Sequence, residues 1–313
     1  MARQDAITGE YLNAAAESSD YCQVEPELSA KQTFTRIQIL FLTVVSAVCL
    51  WGLIQYWERT IMIGAIVFSG FYFVVILFRS LVLAQFDRQS ETSSELLQPQ
   101  YGSTYVVLAA IYKEGNQVEA LIRSLDALKW PIGKKAVYLI CEEEDHETLS
   151  QIYSLPLPEG FNLLIVPAGT PMTKPRALNY GLSRVSGDYL VIYDAEDRPH
   201  PNQLLEAENS FRRLPIHTAC LQAPLAIDNH NETWLTKLFS VEYDTLFHGI
   251  LPVLSDWHSP IPLGGTSNHF RLETLRAVGG WDSYNVTGGG RGERCRGESE
   301  GSYGGGARGR GGA

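Results

Sequence analysis

Three carboxylates follow directly after a short apolar run in the middle of the chain. The run Tyr189–Tyr193 is succeeded by Asp194, Glu196 and Asp197, and Pro199 closes the segment. An apolar run of this length between turn signals predicts a fully buried strand, and ligands bind beyond the carboxyl ends of such strands in open α/β sheets. Oxygen ligands at such an exit suit a divalent cation, Mg²⁺ or Mn²⁺, that is shared with substrate phosphates. A solvated acidic turn is the alternative interpretation.

Polar residues also follow two earlier apolar runs of strand length. They are Tyr112, Lys113 and Glu114 after the first run, and Glu142 and Glu143 after the second. Between the second run and the central carboxylates stand two cations, Lys174 and Arg176, which could neutralise phosphate. The alternative is that Glu142 and Glu143 begin an ordinary acidic helix, and that both cations lie in a solvated helix start.

A stretch of small residues lies farther along the chain, within Leu263–Arg271. Its central members are Gly265, Thr266, Ser267 and Asn268. Glycine lets a backbone approach a ligand closely, so this stretch is predicted to be a ligand-binding loop. Three histidines of this half of the chain are interpreted as core or interface residues rather than as ligands. They are His217, His248 and His269.

The elements that must position these side chains alternate between strands and helices. We predict strands at 105–111, 136–141, 162–166, 189–193 and 217–222, with helical spacing between most of them. Strands that alternate with helices predict an α/β fold with a mostly parallel, doubly wound sheet. The long segment 232–254 has a broad apolar face, suited to packing against a core or lying on a membrane surface.

The region before this domain is predicted to form a transmembrane hairpin at 34–86. Two uncharged runs, 37–57 and 61–78, are each about as long as a bilayer-spanning helix, and only Glu58-Arg59-Thr60 separates them. The flanking cations Lys31, Arg36, Arg79 and Arg88 place both termini in the cytoplasm by the positive-inside rule. Two buried helices of a soluble bundle are the alternative. Residues 1–33 are polar and are predicted to be a mobile arm.

Charge and cysteine usage exclude several classes of protein. The formal net charge of −10 argues against a general nucleic-acid binder. The 5 cysteines are scattered without a Cys-x-x-Cys pair, which argues against a disulfide framework or a zinc site. A reducing compartment fits this usage best.

Taken together, these motifs resemble the inverting, membrane-embedded enzymes of glycosyltransferase family 2, related to bacterial cellulose synthase-like proteins. The resemblance covers roughly 105–287 and the preceding hairpin. It implies a GT-A (Rossmann-like) fold for 104–287 in the cytoplasm, attached to a multi-pass anchor in the inner (plasma) membrane. The implied reaction transfers sugar from a nucleotide sugar, usually a UDP-sugar, to a growing glycan acceptor. The implied partners are therefore the donor, the acceptor and the lipid bilayer, with a divalent cation as cofactor and no nucleic acid.

The resemblance also assigns roles to individual residues. Glu142 and Glu143 stand where the family holds the nucleoside, and Lys174 matches the lysine near the diphosphate. Asp194-Ala-Glu196 stands in place of the Asp-x-Asp metal motif, with Asp197 as an extra ligand. The full set predicted to contact donor and metal is Tyr112, Glu114, Glu142, Glu143, Lys174, Asp194, Glu196 and Asp197. The acceptor-side set is Gly265, Thr266, Ser267, Asn268 and Trp281, of which Trp281 could stack on a sugar.

The sequence departs from the family pattern after Thr287. The family continues with a Thr-Glu-Asp-type motif that supplies the general base, whereas nearly half of residues 288–313 are glycine. We therefore expect a disordered Gly/Arg-rich tail, a truncation or frame change, and impaired transfer. The alternatives are a catalytically inactive membrane protein that binds nucleotide sugar or a partner, and a tail that contacts RNA.

Overall fold

The computed structural model describes residues 29–31, 33–86, 102–216, 218–227, 232–257, 259, 261 and 263–285. The chain divides into two compact units, one spanning Pro26–Ser90 and the other containing the residues from Glu91 onward. Most of the predicted N-terminal arm, the predicted tail, His217 and Thr287 lie outside the described residues.

The N-terminal unit contains one long apolar helix, α1 (Arg36–Phe86), which is interrupted at Tyr56 (φ −142°, ψ 46°). Among the described residues it is the helix that is long and apolar enough to cross a membrane, with a mean hydropathy of 2.6 in its most apolar window. A Cβ atom added at Gly52 would lie 2.7 Å from Thr60 Oγ1. Because eight residues of straight helix span about 12 Å, the chain must turn sharply between these two positions.

This break corrects the predicted position of the turn. Glu58-Arg59-Thr60, predicted to separate two spans, is helical, and the non-helical residue is Tyr56, inside the first predicted span. Glu and Arg are good helix formers, so charge alone does not end a helix there.

The second unit contains a six-stranded sheet in the order β3-β2-β1-β4-β6-β5. The first four strands pair in parallel, and the last two are antiparallel to their neighbours. The strands are β1 (Tyr105–Ile111), β2 (Lys135–Glu142), β3 (Phe161–Val166), β4 (Tyr189–Tyr193), β5 (Cys220–Gln222) and β6 (Asn268–Arg271). The predicted mostly parallel sheet is confirmed.

Helices cover both faces of the sheet. Alternate strand residues point to opposite faces, so Val107 packs into one core and Val106 into the other. Helices α2 (Val118–Asp126), α3 (His146–Ser154) and α5 (Gln203–Arg213) contribute to the first core, whereas α4 (Lys174–Leu182) and α8 (Leu272–Ala277) contribute to the second. This three-layer arrangement confirms the predicted α/β class.

The long segment predicted to be one amphipathic helix has two parts with different environments. Helix α6 (Trp234–Asp244) has no buried residue and exposes Trp234, Leu238 and Val241. Burial begins in the π-helical stretch that follows, Thr245–Ile250, where Phe247 is buried, and continues in α7 (Leu251–Asp256).

Two local predictions near the end of the chain are corrected by the structure. The strand predicted at 217–222 is observed only at Cys220–Gln222. The last four residues of the predicted ligand-binding loop form β6, whose Asn268 pairs with Ile192 and Gln222. Short polar sequences become strands when two neighbouring edges supply hydrogen bonds, and local residue pattern does not report such neighbours.

The strand order creates a switch point between β1 and β4. From β1 the chain proceeds through β2 and β3 on one side, and then returns to pair β4 with the opposite edge of β1. The register pairs Ala109 with Tyr193, so the residues that follow β1 and β4 leave the sheet side by side. Ligands of open α/β sheets bind in the crevice at such a point.

Candidate functional site

Lys174 joins the carboxyl end of β4 to the small-residue loop. Its ammonium donates to Asp194 Oδ1 and, over 2.6 Å, to the carbonyl oxygen of Gly265. The Lys174 and Asp194 side chains are 22% and 35% exposed, respectively. A cation and a carboxylate predicted to serve the same ligand are therefore in contact at the switch point.

The backbone of Lys174 is fixed by the start of helix α4. Thr173 is the N-cap, and its hydroxyl accepts from Arg176 N and donates to the carbonyl of Ser283 over 2.6 Å. Pro175 occupies the first turn, where a missing N–H costs no helical hydrogen bond. The sequence Thr-Lys-Pro thus begins a helix whose first residue is Lys174.

Asp197 is turned toward the backbone and the neighbouring loop. Its Oδ2 accepts from the amide of Asp194 over 2.6 Å and from the hydroxyl of Thr266. Burial raises the pKa of Asp197, although these two hydrogen bonds act in the opposite direction. Asp197 therefore holds the β4 exit and the loop together, which is a different task from the extra metal ligand predicted for it.

Glu114 brings a further carboxylate to Asp194 and Glu196. The pKa of Glu114 is raised, first by burial and then by the negative charges of Asp194 and Glu196. Glu196 is exposed, and Tyr112 is 44% exposed beside the same β1 exit. Glu114 therefore lies near enough to Asp194 and Glu196 to interact with their charges, and the mutual repulsion of these carboxylates favours the binding of a cation.

Glu142 lies in a buried ion pair with Arg176. Arg176 Nη1 lies 3.1 Å from Glu142 Oε2, and both side chains are 6% exposed. The guanidinium also donates to the carbonyl of Pro167. Burial raises the pKa of Glu142, while the Arg176 charge opposes that rise. Of the two glutamates predicted to meet a nucleoside, Glu143 is the exposed one, and its Oε2 accepts from Ala168 N over 3.3 Å.

Asp145 is a site-edge residue that the functional interpretation of the sequence missed. Its Oδ2 accepts from the amide of Lys113 over 2.5 Å, and its Oδ1 accepts from Thr148 N over 3.2 Å. Burial acts to raise its pKa, but the bonds from Lys113 and Thr148 lower it overall. An aspartate just before a helical run is a common N-cap, so a local signal was present. Asp145 supports Lys113, which has a left-handed φ of 57°.

The small-residue loop is held against β4 by backbone and side-chain bonds. Ser267 (φ 55°) donates its amide to the Ile192 carbonyl over 2.8 Å. Asn268 Nδ2 donates to the Gly264 carbonyl over 2.5 Å, while its buried Oδ1 has no hydrogen-bond partner. Gly265 and Thr266 face the lysine and Asp197 through the contacts described above. Four predicted acceptor-side residues therefore lie in or beside one loop.

Trp281 is placed in the core beneath this region. It is 2% exposed, and its ring meets Phe270 edge-on with centroids 5.7 Å apart. A ring buried in this way presents no face to a sugar, so the predicted stacking role does not fit the geometry. Asn179, which the sequence did not single out, contacts the Trp281 backbone through two hydrogen bonds.

The structure thus assembles part of the predicted site and separates the rest. Glu114, Lys174, Asp194 and Gly265 converge at the switch point, whereas Glu142 is paired within the protein. In the part of the chain that is described, no three His, Cys, Asp or Glu side chains are grouped as a ready-made metal cage. Any cation at Asp194 and Glu196 would have to share its coordination with substrate and water.

Comparisons with known proteins point to the same chemistry. Residues 99–290 match the family described as "Glycosyltransferase like family 2". A poly-beta-1,6-N-acetyl-D-glucosamine synthase of Staphylococcus aureus (strain MSSA476) is 25% identical over 183 residues, which cover 58% of this chain and 42% of that protein. A beta-monoglucosyldiacylglycerol synthase of Trichormus variabilis is 25% identical over 58% of this chain and 38% of its own. This chain therefore spans less than half the length of these curated relatives.

Among solved structures, the mannosyltransferase PcManGT from Pyrobaculum calidifontis, in complex with GDP-Man and Mn²⁺, aligns with a TM-score of 0.52 at 16% identity. The alignment covers 73% of this chain and 61% of that one. At this identity the likeness supports the fold alone, and it agrees with the sheet described above. The family match covers more than half of the chain and includes the whole switch-point crevice. On that ground, this chain belongs to glycosyltransferase-like family 2.

Proposed function

We propose that this protein transfers a sugar from a nucleotide sugar, most simply a UDP-sugar, to a growing glycan acceptor. The observation that carries the proposal is the contact of Lys174 with Asp194 and Gly265 at the sheet's switch point. A diphosphate placed there would meet an ammonium, and the acceptor-side loop would lie within one side chain's reach. The S. aureus relative is a poly-beta-1,6-N-acetyl-D-glucosamine synthase, which supports an acceptor of this class.

The donor set of the crevice fits a hard divalent cation. Asp194 is partly exposed, Glu196 is exposed, and both supply the oxygen ligands that Mg²⁺ and Mn²⁺ prefer. A bound cation would stabilise negative charge on the departing nucleoside diphosphate. Around it, Lys174 neutralises phosphate charge, and Glu114 lies at the β1 exit on the nucleoside side with Tyr112. Glu143 is the exposed member of the Glu142–Glu143 pair and is proposed to contact the nucleoside.

The acceptor is proposed to approach over the loop that contains Gly265, Thr266, Ser267 and Asn268. The Gly265 carbonyl and the Thr266 hydroxyl are both tied to groups of the donor side, Lys174 and Asp197. A loop held in this way keeps a fixed distance between the donor phosphates and the acceptor. When two reactants are held in fixed positions, much of the entropy that the reaction would cost is already lost on binding, which lowers the barrier to the chemical step.

We further propose that the enzyme works at the cytoplasmic face of the inner (plasma) membrane, anchored by α1 as a multi-pass hairpin. The support is the length and apolar composition of α1 and its sharp turn near Tyr56. The exposed apolar side chains of α6 are consistent with a neighbouring lipid surface.

We assign no described residue as the base that deprotonates the acceptor hydroxyl, because the family resemblance expects that base after Thr287. Residues 288–313 contain no Thr-Glu-Asp motif. A polypeptide of this sequence alone is therefore proposed to bind donor but to transfer poorly, since a missing general base costs about 10²–10⁴-fold.

Two measurements on the full chain in detergent test the proposal. Calorimetric titration with UDP in the presence of Mn²⁺ reports donor binding, and incorporation of radiolabelled UDP-sugar into polymer reports transfer. Binding should weaken roughly ten-fold or more in Asp194→Asn, because a hydrogen-bonded charged group contributes about 1.5–3 kcal/mol. Glu119→Gln, which removes an exposed carboxylate on helix α2, is the matched control.

Equal affinity for UDP in Asp194→Asn and the unaltered chain would refute the proposed donor site. Binding with slow transfer is the expected result, whereas binding with no detectable transfer would favour a nucleotide-sugar-binding protein that is not a catalyst.

A further inference from the structure

The Lys174 ammonium has two protein partners that a bound donor would rearrange. One is Asp194 Oδ1, and the other is the carbonyl oxygen of Gly265 at 2.6 Å. The same Asp194 carboxylate is the most central of the proposed cation ligands, and the same ammonium is the proposed diphosphate partner. While this contact is made, Asp194 Oδ1 is not open to a cation and one N–H of the ammonium is not open to a diphosphate, so donor binding competes with it.

The main chains at both ends of this contact are anchored, so only side chains need to move. Thr173 caps the helix that begins with Lys174 and bonds to the Ser283 carbonyl. The amide of Asp194 donates to Asp197 Oδ2, which also accepts from Thr266. Lysine has a flexible four-carbon stem, so its ammonium can change partners while the helix start stays in place.

We propose that Lys174 acts as a competitive latch. Its ammonium binds the Asp194 carboxylate in competition with a divalent cation and links Asp194 to the loop that contains Gly265. When the donor diphosphate binds the ammonium, Asp194 becomes available to the cation. The inference rests on the proposed function and deepens it. It predicts an order of binding. Without nucleotide, Lys174 weakens cation binding, and bound nucleotide removes this effect.

The charges of the crevice set the direction of the effect. With Lys174 in place, the charge of Asp194 is already offset, and a divalent cation must compete with the ammonium for Asp194 Oδ1. Without the ammonium, the negative charges of Glu114, Asp194 and Glu196 are left to the cation alone, and these groups already interact with one another. Removal of Lys174 should therefore strengthen cation binding, whereas loss of an ordinary supporting residue should weaken it.

The experiment titrates Mn²⁺ alone into the full chain in detergent and follows free Mn²⁺ by electron paramagnetic resonance. Lys174→Gln should bind Mn²⁺ about ten-fold more tightly than the unaltered chain, the lower end of the range for a hydrogen bond to a charged group. Lys113→Gln is the matched control, because it removes a lysine at the same sheet edge whose ammonium lies over the Tyr112 ring, 5.1 Å from its centroid. Its Mn²⁺ affinity should rise much less.

A second arm repeats each titration with UDP present. In the unaltered chain UDP should increase Mn²⁺ affinity strongly, because it relieves the latch and supplies oxygen ligands. In Lys174→Gln the increase should be several-fold smaller, because there is no latch to relieve. A melting curve for each variant shows that it is folded.

The outcomes separate the latch from the proposed transfer. Unchanged or weaker Mn²⁺ binding in Lys174→Gln overturns the latch, even if the protein binds UDP and transfers sugar. Tighter Mn²⁺ binding in Lys174→Gln supports the latch, even if transfer to a glycan is never observed. If Lys113→Gln gains as much affinity as Lys174→Gln, general electrostatics explains the result and the latch is rejected.

Discussion

Asn179 holds the backbone of Trp281 from both sides. Its Nδ2 donates to the Trp281 carbonyl over 2.7 Å, and its Oδ1 accepts from the Trp281 amide over 2.9 Å. Asn179 is fully buried on α4, the helix that begins at Lys174. Helix α4 therefore fixes both Lys174 and the segment around Trp281.

Removing the Asn179 amide should destabilise the protein strongly. Asn179→Ala removes the hydrogen bonds to the Trp281 amide and carbonyl, and each such loss costs about 1–3 kcal/mol. We expect a total loss of about 2–6 kcal/mol, seen as a lower apparent melting temperature of the full chain in detergent. Asn162→Ala is the control, since the exposed Asn162 amide makes only long bonds of 3.3 and 3.5 Å. Similar losses in both variants would contradict a special role for the Asn179 clamp.

Gly280 should not tolerate a methyl group. Its φ is 71°, and an added Cβ would lie 2.4 Å from Asn179 Oδ1 and 3.0 Å from Leu182 Cδ2. Gly280→Ala therefore combines the left-handed backbone cost of about 1–2 kcal/mol with a steric clash against the clamp. Gly133→Ala isolates the backbone cost alone, because Gly133 has a φ of 74° but nothing within 4 Å of the added atom. Melting temperatures should fall further for Gly280→Ala; equal shifts would mean that the clash is relieved at no cost.

The Glu142–Arg176 pair should be a stability element in the absence of nucleotide. Breaking a buried ion pair by neutralising one partner typically costs about 3–5 kcal/mol. Glu142→Gln should lower the apparent melting temperature without any ligand present. The matched Glu119→Gln breaks an exposed pair, 71% and 63% exposed at Arg123 and Glu119, and should change stability by less than about 0.5 kcal/mol. If Glu142→Gln affects only UDP affinity, the carboxylate serves a nucleoside and not the fold.

Acid should destabilise the protein through His269. Burial lowers the pKa of His269 from 6.5 to about 3, and its Nδ1 lies 2.6 Å from the Tyr105 hydroxyl. Between these two pKa values the unfolded chain binds a proton that the folded chain excludes. Stability therefore falls as pH drops from about 6.5 toward 3, by at most about 1.4 kcal/mol per pH unit.

The comparison of His269→Gln with the unaltered chain checks this pH dependence. Melting temperatures at pH 7 and pH 5 should differ less in His269→Gln than in the unaltered protein. His146→Gln, which replaces an exposed histidine at the start of α3, should keep the original pH dependence. Identical pH dependence in all three proteins would show that another group controls acid stability.

Much of the site could be predicted from local sequence because its residues lie at the ends of strands and helices that have clear sequence patterns. The bounds of β1 and β4 are observed as predicted, since buried apolar runs followed by polar residues identify strand ends. The sequence also placed Lys174 at a helix start. Glu114 was grouped with Lys174 and Asp194 from its position at a strand exit, and the family resemblance assigned Lys174 to the diphosphate and Asp194 to the metal. Their convergence follows from the parallel sheet, which brings the carboxyl ends of its strands to one edge.

The tasks of individual side chains at that edge were decided by packing. Asp197 and Glu142 look like ligand-binding carboxylates in sequence, yet one binds the Thr266 loop and the other pairs with Arg176. Trp281 looks like a sugar platform, yet its ring is buried against Phe270. Thr266 and Arg176 lie 69 and 34 residues from their partners, so no local pattern records these contacts. Phe270 is nearer to Trp281 in sequence, but β6 and α8 must fold before the two rings meet.

The sequence by itself determined the mostly parallel α/β architecture, the apolar N-terminal helix and the residue types at the strand exits. Hydrophobic periodicity and the turn residues that end each strand or helix are local properties of the sequence. Only the tertiary structure decided which charges meet one another and which remain for a ligand. It also decided that Asn268–Arg271 is a strand and that Asn179 clamps Trp281. Those outcomes depend on contacts between distant segments, whose energies arise only when the chain has folded.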